Sequence, residues 1–129
     1  MTIKEVSDKY QLSTDTLRYY EKVGLIGPIS KNKSGIRDYK ETDLRTIEFV
    51  KCMRQANMPI DKLIRYMNLY KEGNKTLEDR KQLLVEQLHK VEKEIQELEK
   101  AKERLCYKID LYDHQLLEKN LSMEKETVL

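Results

Sequence analysis

A chain of 129 residues has room for one compact domain and little more. With 39% apolar and 37% charged residues it lacks the material for a large core, and suits a small head joined to a long solvated helix. The net charge of +2 is too weak to argue alone for a polyanionic partner, and no apolar run nears the roughly 20 residues that a bilayer-spanning helix needs.

Thr2-Ile3-Lys4-Glu5 fits a capping box, and Ile3, Val6 and Tyr10 follow at helical spacing, so residues 3–9 are expected to form a first short helix. Lys4, Glu5, Asp8 and Lys9 interrupt any signal-peptide core here. Gln11-Leu12 reads as a turn. Ser13 is a good N-cap for a second helix with Leu17, Tyr20 and Val23 inward and Gly24 as its stop. Gly27-Pro28 breaks the helical pattern. Short extended pieces near Ile29-Ser30 and Ile36-Tyr39 then flank the polar turn 31–35, which predicts a hairpin with a basic tip. A third helix starts at Thr42 or Asp43 and runs to about Ala56. Pro59 suits the first turn of a fourth, which ends at Gly73-Asn74.

Thr76 is placed to cap the last helix. From Leu77 to Leu116 a heptad repeat holds. Leu77, Leu84, Val91, Leu98, Leu105 and Tyr112 occupy one seam position; Lys81, Leu88, Ile95, Lys102, Ile109 and Leu116 occupy the other. Ten of these twelve are apolar, and the run contains neither Gly nor Pro, which is the pattern of a coiled coil. Such a stripe needs a partner helix, most simply from a second copy of the chain. Lys81 and Lys102 weaken the seam, or snorkel to its surface. The pattern itself leaves parallel and antiparallel pairing open. The expected organisation is a mainly α protein: a winged helix-turn-helix over 1–40, a linking helix pair over 41–74, a dimerisation coiled coil over 75–120 and a flexible tail over 121–129.

Helix, turn, helix and basic hairpin in that order point to duplex DNA. Residues 1–40 carry eight Lys/Arg against five Asp/Glu, whereas residues 74–120 carry ten against eleven, so the positive charge lies in the head. Arg18 and Lys22 share a face of the second helix, with Thr16 and Tyr19 near its leading end. Lys31, Lys33 and Arg37 on the hairpin are placed to follow the adjacent phosphate backbone. Read without that order of elements, the same residues are ordinary solvated charges.

The segment Thr16-Leu17-Arg18-Tyr19-Tyr20-Glu21-Lys22-Val23-Gly24-Leu25-Ile26-Gly27-Pro28, followed by Gly35-Ile36-Arg37-Asp38-Tyr39, resembles the MerR family of bacterial transcription regulators. The similarity extends to about residue 120. It implies a homodimer joined by an antiparallel coiled coil. It also implies pseudo-palindromic promoters with an overlong spacer, which the activated dimer bends and untwists for RNA polymerase. Carried onto this chain, Arg18, Tyr19 and Arg37 would contact DNA and Tyr39 would touch a phosphate.

Signal-sensing residues are fewer. The two cysteines, Cys52 and Cys106, have no paired spacing, and reduced thiols in a cytoplasmic protein are the simplest expectation. His89 and His114 sit on outer heptad positions, no set of converging thiolates is evident, and neither a metal nor a cofactor is expected. Cys106 falls beside the seam and reads as a packing or solvent-exposed residue. Cys52 shares a stripe with Phe49, Met53 and Ala56, where a free cysteine is ordinarily a small buried hydrophobe. Lys51 and Arg54 beside it offer the alternative of an activated thiolate. Lys51-Cys52-Met53-Arg54 is also similar to the NmlR/AdhR-like branch of the family, which implies a sensor thiol at Cys52 for reactive aldehydes or other electrophiles. The rival readings are a regulator of this type whose signal bypasses the thiol, and a coiled-coil adaptor without specific DNA binding. An enzyme has least support, because no phosphate loop and no nucleophile–base–acid set is present.

Overall fold

The computed structural model describes the backbone of residues 1–128 and the side chains of residues 1–123. Helix α1 (Ile3–Tyr10) begins with the expected capping box. The Thr2 hydroxyl accepts the Glu5 amide at 3.2 Å, and the Glu5 carboxylate accepts the Thr2 amide at 3.0 Å. That second bond holds the Glu5 carboxyl below its ordinary pKa. Gln11 closes the helix in the left-handed region at φ 55°, and its amide donates to the Ser7 carbonyl. The chain thereby turns into α2 (Thr14–Lys22) within a few residues, and the Ser13 hydroxyl caps α2 by accepting the Thr16 amide at 3.0 Å. A helix of nine residues is too short to hold itself in water. Its inner face is what fixes it: Leu17 and Tyr20 are buried with Val6 and Tyr10 of α1.

After Gly24, at φ 84°, Leu25, Ile26 and Ile29 drop into the same core. The expected two-stranded hairpin is corrected here. No strand forms among the described residues; one antiparallel bridge, Lys31 to Arg37, remains. The cause is local. The Asn32 carboxamide accepts the amides of Ser34 at 2.9 Å and Ile36 at 3.1 Å, and the Gly35 amide donates to the Asn32 carbonyl at 3.0 Å. A side-chain turn thus takes donors that a longer ladder would use. The wing is consequently a tight loop tied to the rest by backbone bonds from Asp38 to Ser30 and from Tyr39 to Met1.

Helix α3 (Glu41–Gln55) starts slightly before the expected point, because the Asp43 carboxylate accepts the Lys40 amide at 2.9 Å and brings Lys40 into the cap. It buries Ile47 and Val50, and Asn57 ends it at φ 63°. Helix α4 (Ile60–Lys71) follows Pro59 and buries Leu63. A single 3-10 turn over Asn74–Thr76 leads into α5 (Leu77–Val128). Thr76 does not cap α5 as expected. It is buried, its hydroxyl lies 2.6 Å from the Leu69 carbonyl, and Arg80 Nε donates to it at 3.1 Å. The threonine therefore fastens the start of α5 back onto the end of α4.

The first turns of α5 belong to the compact unit Met1–Leu88. They pack with Leu83 and Gln87 rather than with the heptad seam. The Gln87 side-chain amide donates to the Ala56 carbonyl at 2.7 Å, so a polar side chain satisfies the open end of α3. Leu77 and Leu88 on the seam face stay 55% and 53% exposed. The helix from His89 onward is a second unit, in which Ile95, Leu98, Leu105, Ile109, Tyr112 and Leu116 are all exposed. It remains helical to Val128, where a flexible tail was expected from residue 121.

Candidate nucleic-acid interface

Helix α2 offers its outer face on the side opposite Leu17 and Tyr20. Arg18, Tyr19 and Lys22 are exposed there, and Thr16 is half-buried. Arg18 is steered along the helix by Asp15 Oδ1 at 3.3 Å and Thr14 Oγ1 at 3.4 Å. The pair is solvent-exposed and weak, so the guanidinium is free to exchange it for a phosphate or a base edge. Tyr19 stands 41% exposed and meets the buried Tyr20 edge-on at 6.3 Å, which fixes the direction of its hydroxyl. The Thr16 hydroxyl is shared with Ser13 at 2.7 Å. It is part of the cap as well as of the outer surface.

The wing contributes Lys31 and Lys33, both exposed. Arg37 is held differently. Its Nε donates to Glu21 Oε1 at 2.8 Å, across from the last turn of α2. Arg37 thus bridges wing and helix. Glu21 lies within the segment Thr16 to Pro28, which by itself names no partner for it. The available signal was an acid placed among cations on a face meant for a polyanion.

Tyr39 departs most from expectation. It is 2% exposed, and its hydroxyl is enclosed without a hydrogen-bond partner among the described residues. In this form it stands in the core rather than on a phosphate-facing surface. Burial, followed by the negative charge of Glu21, pushes its phenol pKa above the ordinary value. An enclosed hydroxyl with no partner is costly, by about 1–3 kcal/mol.

Of the two readings of Cys52, the small buried hydrophobe is the one that does not hold. Cys52 is exposed, not buried on an apolar stripe. At 3.6 residues per turn it lies roughly 140° around α3 from Ile47 and roughly 160° from Val50, which form the buried face. The two cations beside it serve the fold: Lys51 Nζ donates to the Tyr10 carbonyl at 2.6 Å and Arg54 to the Met58 carbonyl at 2.8 Å. Cys106 is exposed too. Among the described residues no group of three or more His, Cys, Asp or Glu is placed to hold a metal ion, and no helix is long and apolar enough to cross a membrane.

A capped helix-turn-helix with a cationic outer face, a wing beside it and a long heptad helix define a DNA-binding regulator of the helix-turn-helix class. Residues 1–69 match the family model described as MerR HTH family regulatory protein, and residues 44–106 match the MerR DNA-binding model. The chain belongs to the MerR family of transcriptional regulators, which are not enzymes. It is 49% identical over 87 residues to the HTH-type transcriptional regulator AdhR of Bacillus subtilis. That match spans 67% of this chain and 62% of the relative. A crystal structure assigned to a MerR family transcriptional regulator of Listeria monocytogenes superposes with a TM-score of 0.89 at 42% identity, over 99% of this chain and 97% of that one. HiNmlR, a MerR family regulator lacking the sensor domain and solved bound to promoter DNA, gives 0.79 at 28% identity, over 87% and 89%.

Replacing Tyr39 by Phe removes a hydroxyl that has no partner. In urea unfolding at fixed protein concentration, Tyr39→Phe is expected to keep the stability of the parent at neutral pH or to gain up to about 1 kcal/mol. Because the folded-state pKa is raised, the tyrosine's contribution is fully present below pH ~10 and is lost as pH rises through the folded value. The variant is expected to lose less stability across that alkaline window. A loss at neutral pH exceeding about 1 kcal/mol would mean that the hydroxyl is bonded.

Proposed function

We propose that the chain acts as a homodimer that grips promoter DNA with two α2 faces and deforms it to control RNA polymerase, in response to a reactive aldehyde or similar electrophile at Cys52. The exposed seam of α5 is the observation that supports the dimer: Leu98 and Leu105 stand 69% and 63% in water, and a second α5 is the simplest cover for so long a stripe. Likeness to a DNA-bound MerR regulator supports the promoter. In this reading Arg18, Tyr19 and Thr16 approach base edges and phosphates, while Lys22, Lys31, Lys33 and Arg37 meet the backbone. Tyr39 reaches a phosphate only if binding opens its enclosure. Deforming DNA costs several kcal/mol, which suits a switch between two dimer conformations of similar energy.

For Cys52, the supporting observation is an exposed thiol on α3, together with the resemblance of Lys51-Cys52-Met53-Arg54 to the electrophile-responsive branch. Chemically, the thiolate sulfur adds to the aldehyde carbonyl carbon. The C=O π pair moves to oxygen, which takes up a proton to give a thiohemiacetal, and no oxidant is needed. The engagement of Lys51 and Arg54 with backbone carbonyls favours the alternative in which the signal bypasses this thiol.

Two experiments separate the parts. On a duplex selected by the parent protein from a randomised pool, Arg18→Ala is expected to cost about 1–3 kcal/mol of binding and to relax selectivity, whereas Lys33→Ala should lower the log–log salt slope by about one, evenly across sequences. Equal, sequence-independent losses from both variants would remove the assigned division of labour. Separately, promoter output is measured with and without added aldehyde in the parent and in Cys52→Ser. The reading expects induction to disappear in the variant; undiminished induction would assign the signal elsewhere.

A further inference from the structure

We propose that Glu21 is a positioning residue for Arg37: its carboxylate grips the guanidinium by Nε and turns the remaining donors outward to a phosphate beside α2. The proposal rests on the reading above that α2 and the wing meet DNA together. It starts from an anomaly of charge. Glu21 is a carboxylate on the helix that faces a polyanion, where an unengaged acid would repel the ligand. It is not unengaged. Only 21% of its side chain is exposed, Oε1 takes Arg37 Nε at 2.8 Å, and Oε2 lies 3.4 Å from the Ile29 amide. Both oxygens are therefore turned into the joint between helix and wing.

The joint is also closed sterically. A Cβ at Gly27, where φ is 80°, would come within 2.7 Å of the Ile29 nitrogen and 3.3 Å of Glu21 Cγ. Ile29 is anchored in the core. The backbone at 27–29 thus packs closely against the Glu21 side chain, whose second oxygen lies beside the Ile29 amide.

What this leaves is half a guanidinium. Arginine carries five N–H donors in a rigid planar fork. The Nε–H is committed, and the terminal nitrogens of Arg37 have no hydrogen-bond partner among the described residues. The side chain is 35% exposed. A planar group held at one edge presents the opposite edge in a fixed direction, which lowers the ordering cost of a second acceptor. A phosphate beside the wing would meet a guanidinium that is already aimed.

The test turns on a sign. Glu21→Gln deletes a negative charge from a DNA-facing surface, so charge alone predicts tighter binding. Positioning predicts weaker binding. Affinity for the selected duplex is measured for the full chain with Glu21→Gln, Arg37→Met and both, alongside thermal unfolding of each. We expect Glu21→Gln to bind about tenfold more weakly with an unchanged unfolding midpoint, and to add nothing once Arg37 is already Met. Tighter binding by Glu21→Gln, or the same loss in the Arg37→Met background, overturns the proposal. An Arg37→Met variant that binds like the parent also overturns it, while leaving the DNA-binding reading standing. A parent protein that selects no duplex overturns the broader reading first. Should Glu21→Gln unfold, Glu21→Asp in the same cycle keeps the charge but withdraws the grip, and the same non-additivity with Arg37→Met is expected.

Discussion

An apolar helix face left in water is the constraint on which the remaining structure depends. Seam residues from Leu88 to Leu116 are mostly exposed, Leu98 by 69%. Covering one such side chain is worth roughly 1.5–3 kcal/mol, and bringing two chains together costs roughly 4–15 kcal/mol. One or two leucines would not offset association, whereas the proposed dimer would cover a seam of ten apolar positions. The two lysines, Lys81 and Lys102, interrupt that seam without removing its length. That exposed surface is what supports the proposed dimer.

The head has the opposite economy. It owns a small core into which every element sends one or two residues: Val6 and Tyr10 from α1, Leu17 and Tyr20 from α2, Ile47 and Val50 from α3, Leu63 from α4 and Leu83 from α5. Helices α1 and α2, of eight and nine residues, are too short to hold alone, so the outer face of α2 is only as rigid as that shared core. Polar side chains finish the elements where packing stops. Ser13 caps α2, Thr76 ties α5 to α4, and Gln87 closes the end of α3. Two adjacent faces at the start of α5 serve the two tasks. Leu83 and Gln87 look into the head, while Leu77, Leu84 and Leu88 belong to the seam.

Much of this was readable from local chemistry. The Thr2–Glu5 capping box, the Ser13 cap, the Gly24 stop and the heptads each act within a few residues, so the chain announces them directly. What the sequence did not announce depends on which side chains the folded backbone brings together. The wing loses its strands to the Asn32 side chain, whose two amide partners turn the loop tightly. Arg37 finds Glu21 across sixteen positions. Tyr39 is buried because its backbone is pinned to Met1 and the core closes over its ring. For Cys52 the packed alternative fails by phase: Phe49 and Met53 pack against the core beside Ile47 and Val50, while Cys52 faces water. The resemblance to MerR regulators fixed the class; the engagement of individual side chains needed three dimensions.

The central claim is that a second α5 covers the seam and so sets two α2 faces on one duplex. Sedimentation equilibrium of the full chain, alone and on the selected duplex, tests it directly. The account predicts a dimer at micromolar concentration and two chains on each duplex. A monomer at that concentration that loads one chain per duplex would contradict it.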